Sequence, residues 1–232
     1  MAYPLCFHQR QISSTERIAV NLILEPYLTQ LARWPRTGRH ILAQFDDHSI
    51  IVYQAYRLSI GHFAAQHGYF GGEFSLARMS WIKPNFLWMM YRCGWASKQG
   101  QEVVLAVRLR RPGFDSLLAQ AVHSTYSEEI YHSEQTWKWE VEHSNVRLQW
   151  DPDHDPAGAK VERRAMQLGL RGEMLGQYAR EWVIEIEDIS DFVYEQRQYA
   201  QAHAYEQLMT PRELVYPVVD AAIASRLGLA IS

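Results

Sequence analysis

Runs of apolar residues along the chain predict several short strands with helices between them. Residues 40–56 hold two β-branched or aromatic runs on either side of a DDHS turn, and this pattern predicts a β-hairpin. Further strands are predicted where apolar runs recur, at 101–111, 146–152, 164–170 and 182–189. The strands do not alternate with helices in a regular βαβ unit, so the pattern favours the α+β class.

Helical periodicity and turn residues predict the remaining elements. The segment from Trp81 to Trp95 is rich in aromatic residues and methionine, and it predicts a largely buried helix with Pro84 in its first turn. Other helices are predicted at residues 13–36 (interrupted at Pro26), 60–66, 114–122 and 173–179. We expect a single domain over residues 1–232, with a core at about 38–190 and a mainly helical C-terminal extension at 191–232.

The composition is that of an ordinary folded protein, and it narrows the possible partners. The 232 residues include 23 Lys+Arg against 26 Asp+Glu, a net charge of −3, which gives no strongly basic surface for holding nucleic acid by charge alone. No apolar run approaches the ~20 residues needed to cross a bilayer, and the N-terminus lacks the features of a signal peptide. With two cysteines and no disulfide framework, we expect a cytoplasmic protein without a membrane partner.

Motifs for metals, nucleotides and nucleophiles are weak. Asp151, Asp153 and Asp155 have the spacing of calcium-loop ligands, but Pro156 stands where such a loop requires glycine. The histidines show no HExxH spacing, so we expect no metal site. There is no Walker loop and no GxGxxG sequence, and Cys93 lies in an aromatic segment where a packed, unreactive thiol is expected.

Polar residues interrupt the aromatic sequence in two places. On the predicted strand that ends at Tyr56, alternation places Gln54 and Tyr56 on one face. The second place, just before the predicted aromatic helix, holds Arg78, Ser80, Trp81 and Lys83. Cations beside the free N–H groups of a helix start suit a pyrophosphate, and aromatic side chains suit a flat ring. The alternative is a tryptophan-rich core with cations that extend from it to solvent.

Four long segments resemble a known family. They are residues 38–56 (GRHILAQFDDHSIIVYQAY), 70–109 (FGGEFSLARMSWIKPNFLWMMYRCGWASKQGQEVVLAVRL), 146–156 (VRLQWDPDHDP) and 163–172 (RRAMQLGLRG). Together they resemble the signatures of the uncharacterised family called domain of unknown function 4291, and the likeness spans nearly the full chain. This resemblance implies no established activity.

The order of the predicted elements is also distantly similar to that of the DarT-type ADP-ribosyltransferases, which transfer ADP-ribose from NAD to DNA bases. This resemblance implies a split mixed or antiparallel sheet with flanking helices, and NAD as the substrate. It further implies that the strand with Gln54 and Tyr56 begins the NAD cleft. Arg78, Ser80 and Trp81 would then lie in the segment that binds the phosphates and the nicotinamide side.

In that superfamily the strand corresponding to residues 164–170 carries a catalytic glutamate, and Gln167 falls at about this place. A glutamine cannot supply the negative charge that stabilises a positively charged ribose, so the charge must come from a nearby carboxylate. The candidates are Asp151 and Asp153 after the preceding strand and Glu173 after this one. We rank Asp151 first because it directly follows an apolar strand end. Gln167 shares its strand face with the small Ala165 and Gly169, which predicts room for a ligand.

The resemblance therefore predicts an enzyme that cleaves the bond between nicotinamide and ribose in NAD and transfers ADP-ribose. A base of single-stranded DNA or RNA is the preferred acceptor, and water and a protein side chain are the alternatives. A rival hypothesis is a non-catalytic protein that binds a nucleotide or nucleic-acid end in the same cleft, with Trp81, Tyr56 and Tyr91 as stacking platforms. A third is a scaffold that contacts a partner through the arginines of residues 33–39.

Overall fold

Short strands and helices follow one another irregularly in the computed structural model, which describes residues 22–229. The strands are β1 (Leu24–Pro26), β2 (Gly38–Arg39), β3 (Leu42–Ala43), β4 (Ser49–Tyr56), β5 (Ser80–Ile82), β6 (Val103–Arg110), β7 (Val122–His123), β8 (Val146–His154), β9 (Lys160–Leu170), β10 (Val183–Asp188), β11 (Met209–Pro211) and β12 (Leu214–Val215). The helices are α1 (Tyr27–Arg33), α2 (Leu58–His67), α3 (Phe86–Cys93), α4 (Arg111–Gln120), α5 (Glu134–His143), α6 (Gly172–Gln177), α7 (Ser190–Gln201) and α8 (Ala221–Leu227), with a π-helical turn at Tyr178–Trp182.

A three-stranded antiparallel sheet, in the order β10–β6–β4, is buried on both faces at β6. Val103, Leu105 and Val107 of β6 pack in one apolar cluster, and Val104 and Ala106 pack in a second cluster on the opposite face. A strand that is covered on both sides needs apolar side chains at nearly every position. This requirement explains the near-continuous apolar run that predicts β6 from the sequence.

A second, mixed sheet is built around β9. Strand β8 pairs antiparallel with one side of β9, and β7 pairs parallel with β8. On its other side, β9 pairs parallel with β2 near its start and antiparallel with β5 near its end. Met166, Leu168 and Leu170 of β9 pack in the core, so the alternate residues face the opposite side, as predicted.

The two sheets meet at one point. The backbone N–H of Tyr53 on β4 donates to the carbonyl of Lys83 at 2.7 Å, and the N–H of Lys83 donates back to Tyr53 at 3.2 Å. Lys83 follows β5, which belongs to the mixed sheet. Beyond this bridge β4 and β5 are joined through side chains, and both strands line the cleft described below.

The predicted α+β class is confirmed, in a single domain with antiparallel and mixed sheets. The DDHS turn is also confirmed, because the N–H of Asp46 donates to the carbonyl of Ser49 and Phe45 bridges to Ile50. The hairpin is short, however, since β3 pairs with β12 and not with β4. Within residues 22–229, no helix combines the length and apolar character needed to cross a membrane.

Some predicted helix boundaries are wrong. Trp81 belongs to β5, and Pro84 precedes the N-cap residue Asn85 of α3 instead of lying in its first turn. Helix α4 begins before residue 114, and Val122 lies in β7. Pro26 ends β1 and is followed at once by α1, whereas residues 13–21 of the predicted first helix lie outside the described residues. Each boundary depends on strand pairing between distant segments, which local periodicity does not report.

The C-terminal region contains α7 and α8 and also two strands that the sequence analysis missed. Strand β11 pairs with β1, and β12 pairs with β3. The side-chain amide of Gln30 donates to the hydroxyl of Thr210 at 2.7 Å and to the carbonyl of Pro211 at 3.0 Å. These strands are two and three residues long, too short to show a period-two pattern. The region after residue 208 therefore contacts the first elements of the described chain.

Candidate functional site

The junction between the two sheets opens into a cleft of about 440 Å³. Its walls come from the ends of β4 and β5, from one face of β8 and β9, and from helix α3, which contacts both β4 and β8. Seven of the ten predicted site residues line it, namely Gln54, Tyr56, Ser80, Trp81, Lys83, Asp151 and Gln167. Residues that are far apart in the sequence thus meet because β5, β8 and β9 are neighbours in one sheet.

The floor of the cleft holds one carboxylate between two amides. The Nε2 group of Gln149 donates to Oδ1 of Asp151 at 2.8 Å, and Nε2 of Gln167 donates to Oδ2 at 2.7 Å. Gln149 and Gln167 are direct partners in the register of β8 and β9. Neutral donors fix the orientation of the carboxylate without cancelling its negative charge. Asp151 is thus close to Gln167, but it lies within β8 and not after a strand end, as the sequence analysis expected. Gln149 binds its other oxygen.

A lysine is buried in the wall of the same cleft. Lys83 is 6% exposed, and burial, together with the positive charge of Arg92, lowers its pKa to about 8. The negative charge of Asp151 acts in the opposite direction. Within residues 22–229, the Lys83 side chain has no hydrogen-bond or ion-pair partner.

A hydrogen-bond network stiffens the β4 wall. The Gln54 amide donates to the hydroxyls of Tyr56 at 2.7 Å and Ser80 at 2.8 Å, and its oxygen accepts from the hydroxyl of Tyr178 at 2.5 Å. The hydroxyls of Tyr56 and Ser80 are themselves 2.6 Å apart. Gln54 is 2% exposed, so its amide is engaged by the protein and positions Tyr56 and Ser80 at the cleft surface.

Trp81 covers the backbone of β9 at the edge of the cleft. A Cβ atom at Gly169 would lie 2.9 Å from the Trp81 ring and 2.7 Å from the sulfur of Met79, so only glycine fits there. The expectation that Gly169 leaves room for a ligand is therefore wrong, because Trp81 and Met79 already occupy that space. The glycine instead allows the indole to lie close against the strand, where it lines the cleft.

Helix α3 supplies a rigid aromatic wall. Trp88 is 4% exposed and lines the cleft. Its ring stacks on Tyr91 with centroids 5.5 Å apart and on His154 at 5.3 Å. Such packing holds the indole in one orientation, and the exposed Arg92 lies one turn further along the same helix.

The N-terminus of α3 is occupied by the protein itself. The N–H of Trp88 donates to the side chain of Asn85 at 2.7 Å, and the N–H of Phe86 donates to the Glu213 carboxyl group at 2.6 Å. Glu213 is 1% exposed, and burial raises its pKa well above the usual range. The expectation that free N–H groups of this helix hold a pyrophosphate is therefore wrong. Sequence reasoning missed Glu213 because it lies more than 120 residues further along the chain.

Three predicted site residues, Arg78, Glu173 and Asp153, lie outside the cleft. Arg78 is exposed and lines an adjoining pocket of about 360 Å³, which shares Tyr56 and Ser80 with the cleft. Glu173 is exposed in the first turn of α6 and accepts a hydrogen bond from Gln177 at 3.2 Å. The structure thus separates Glu173 from Asp151, and Arg78 belongs to the extension of the cleft.

The three aspartates with calcium-loop spacing do not converge. Asp151 lies in the cleft, whereas Asp153 is 1% exposed and accepts two hydrogen bonds from Arg163, at 2.8 and 2.5 Å. Asp155 accepts from the N–H of Ala159 at 2.8 Å. Each carboxylate thus has a different set of partners.

A comparison with known protein families shows which family this chain belongs to. The family described as a domain of unknown function (DUF4291) matches residues 40–216, which is most of the chain. The chain belongs to this family. No curated protein matches it significantly. The matched range contains all ten predicted site residues and both glutamines that hold Asp151.

Several cleft residues were missed by the sequence analysis, among them Gln149, Arg92 and Gln101. A signal for Gln149 was available, because it stands two residues before Asp151 on a predicted strand and must share its face. The contact with Gln167 was not predictable in the same way, since it depends on the register between β8 and β9.

Proposed function

We propose that this protein is an ADP-ribosyltransferase-like enzyme that cleaves the nicotinamide–ribose bond of NAD, with its two sheets forming a split sheet of the ADP-ribosyltransferase type. Positive charge develops on the ribose as the bond breaks, as in glycoside hydrolysis. The step is accelerated by a negative charge held in a fixed place beside the sugar. The cleft should therefore contain one oriented carboxylate that no cation neutralises.

Asp151 is the observation that carries this proposal. Its two oxygens accept from Gln149 and Gln167, and it forms no ion pair within the described residues. Both amides are already bonded to the carboxylate, so the group needs little rearrangement when a sugar enters. Asp151 would supply the charge that the superfamily obtains from a glutamate at the position of Gln167.

The other cleft residues suit the rest of NAD. Trp81 offers an indole face for a flat ring, and Tyr56 and Ser80 offer hydroxyls for the ribose. Lys83 and Arg92 in the cleft, and Arg78 in the adjoining pocket, offer positive charge for the diphosphate. The cleft and its extension fall within the ~300–1,000 Å³ typical of small-molecule sites.

The acceptor in this proposal is a base of single-stranded DNA or RNA. The net charge of −3 favours a short local contact over an extended basic surface. An unpaired base needs no energy for extrusion from a duplex, so single strands suit a narrow cleft best.

The test is to incubate the full chain with NAD and single-stranded DNA or RNA, and to measure free nicotinamide and the mass of the nucleic acid. We expect free nicotinamide and an increase in the mass of the nucleic acid equal to one ADP-ribose. Release of nicotinamide without an adduct on the nucleic acid would contradict the transferase and indicate a hydrolase. Saturable NAD binding without nicotinamide would contradict the enzyme and support the non-catalytic binding protein.

Arg78 tests the extent of the site. Loss of one charge-assisted contact to a diphosphate costs roughly 1.5–3 kcal/mol, so Arg78→Ala should weaken NAD binding by about one to two orders of magnitude. The residue is exposed, so folding should be unaffected. Unchanged NAD affinity by calorimetry in the folded variant would remove the adjoining pocket from the NAD site.

A further inference from the structure

The chain uses lysine sparingly, and one lysine differs from the others. It contains four lysines, Lys83, Lys98, Lys138 and Lys160, among 23 Lys+Arg. Lys98, Lys138 and Lys160 are exposed, and Lys138 forms an ion pair with Glu134 at 2.8 Å. Only Lys83 is buried, and it is the one that lines the cleft.

The surroundings of Lys83 disfavour a permanent positive charge. Its nearest carboxylate in the cleft, Asp151, is held by Gln149 and Gln167 and forms no ion pair with it among the described residues. Arg92 adds a second positive charge to the same cleft. An unpaired buried cation next to another cation readily loses its proton, whereas an arginine in this place would stay charged.

The neutral form of an amine in the wall of a cleft is a nucleophile. Desolvation and a neighbouring cation are the two ways in which proteins activate lysine for attack on carbonyl carbon. With its pKa lowered to about 8, Lys83 would carry roughly 300-fold more neutral amine at pH 7 than an ordinary lysine does. Asp151 lines the same cleft.

We propose that Lys83 is a reactive amine that forms an imine with phosphorylated aldehydes bound in the cleft. The aldehyde is indicated by the unpartnered Nζ in the cleft wall, and the phosphate by Arg92, which lines the cleft and pairs with no carboxylate in residues 22–229. The amine attacks the carbonyl carbon, a proton moves from nitrogen to oxygen, and loss of one water gives the imine, with no oxidation or reduction. The inference rests on the cleft geometry and does not require NAD cleavage.

The experiment uses pyridoxal 5′-phosphate as the aldehyde. The full chain is incubated with a limiting amount at pH 7, the imine is reduced with borohydride, and the modified lysine is identified by peptide mass spectrometry. We expect Lys83 to be labelled at least tenfold faster than Lys98, Lys138 or Lys160. Accessibility alone would favour the three exposed lysines, so faster labelling of Lys83 must come from its reactivity. Equal labelling of the four lysines would overturn the proposal.

Two variants and one competitor complete the test. Lys83→Arg keeps the charge and should abolish the fast labelling, whereas Lys98→Arg should leave it unchanged. Ribose 5-phosphate should slow the labelling of Lys83, whereas ribose at the same concentration should not. Equal effects of the two sugars would overturn the phosphate part of the proposal. The labelling is expected whether or not the protein releases nicotinamide, so the two proposals fail separately.

Discussion

Two aspartates on β8, Asp151 and Asp153, have the same side chain and opposite surroundings. Asp153 is fully buried and bound by two nitrogens of the Arg163 guanidinium. Asp151 faces the cleft and is held by two neutral amides. The first arrangement pairs the negative charge with a cation inside the protein, and the second leaves the charge oriented toward a space that a ligand can enter.

A break in strand register separates the two. Residues 151 and 153 would share one face of a regular strand, but the pairing of β8 with β9 shifts between Pro152 and His154. Such an irregularity redirects the side chain that follows it. Asp151 and Asp153 share one sequence motif, but their partners differ. The cation beside Asp153 makes it a structural group, and the neutral amides beside Asp151 leave it a candidate catalytic group.

The largest effect on stability is expected at the buried pair. Asp153→Ala leaves the Arg163 guanidinium, 5% exposed, without its partner, and such a change typically costs about 3–5 kcal/mol. Urea denaturation followed by circular dichroism measures it. The double variant Asp153→Leu with Arg163→Met should recover most of the loss, because it removes both charges. A loss below about 1 kcal/mol in Asp153→Ala would contradict a structural role for the pair.

The next largest effect on stability is expected at Lys83, where removal of the amine should stabilise the protein. The pKa of Lys83 falls from 10.5 to about 8 on folding, so between these pH values the unfolded chain binds the extra proton and stability rises with pH. Lys83→Met should therefore stabilise the protein by roughly 3 kcal/mol at pH 7. The gain should shrink as the pH rises from 8 to 10.5. Lys98→Met is the exposed control, and a gain at Lys83 that is independent of pH would contradict burial of a charged amine.

Much of the fold was predictable because the buried strands carry local patterns. The apolar run of β6 and the alternation of β9 predict the strands and the faces of their residues. Gln54 and Lys83 were recognised as polar interruptions, and Asp151 as a candidate carboxylate near Gln167. The pairing between strands was not predictable, because register depends on distant segments. For that reason the roles of Glu213 at α3 and of Trp81 over the backbone of β9 became apparent only in the structure.

A smaller effect is expected when Asp151 is kept and one of the two amides that bind its carboxylate is removed. Gln149→Leu deletes one donor to the carboxylate, and a hydrogen bond to a charged group is worth about 1.5 kcal/mol. Nicotinamide release should fall about tenfold, with little loss of stability because Gln149 is half-buried. Gln177→Leu, which removes an amide bonded to the exposed Glu173, should leave the rate unchanged. Equal rates in the two variants would show that the amides do not position Asp151 for this reaction.

The smallest change in stability is expected for Asp151→Asn, which keeps the shape of the side chain and removes its charge at the cleft surface. The free energy of unfolding should change by less than about 1 kcal/mol, whereas nicotinamide release should fall by roughly 100-fold or more. Glu173→Gln, outside the cleft, is the matched control and should retain full activity. The decisive measurement is therefore nicotinamide release from NAD by the wild type and these two variants. Loss in Asp151→Asn alone is expected if Asp151 supplies the negative charge for NAD cleavage. Full activity in Asp151→Asn, or a selective loss in Glu173→Gln, would contradict that role.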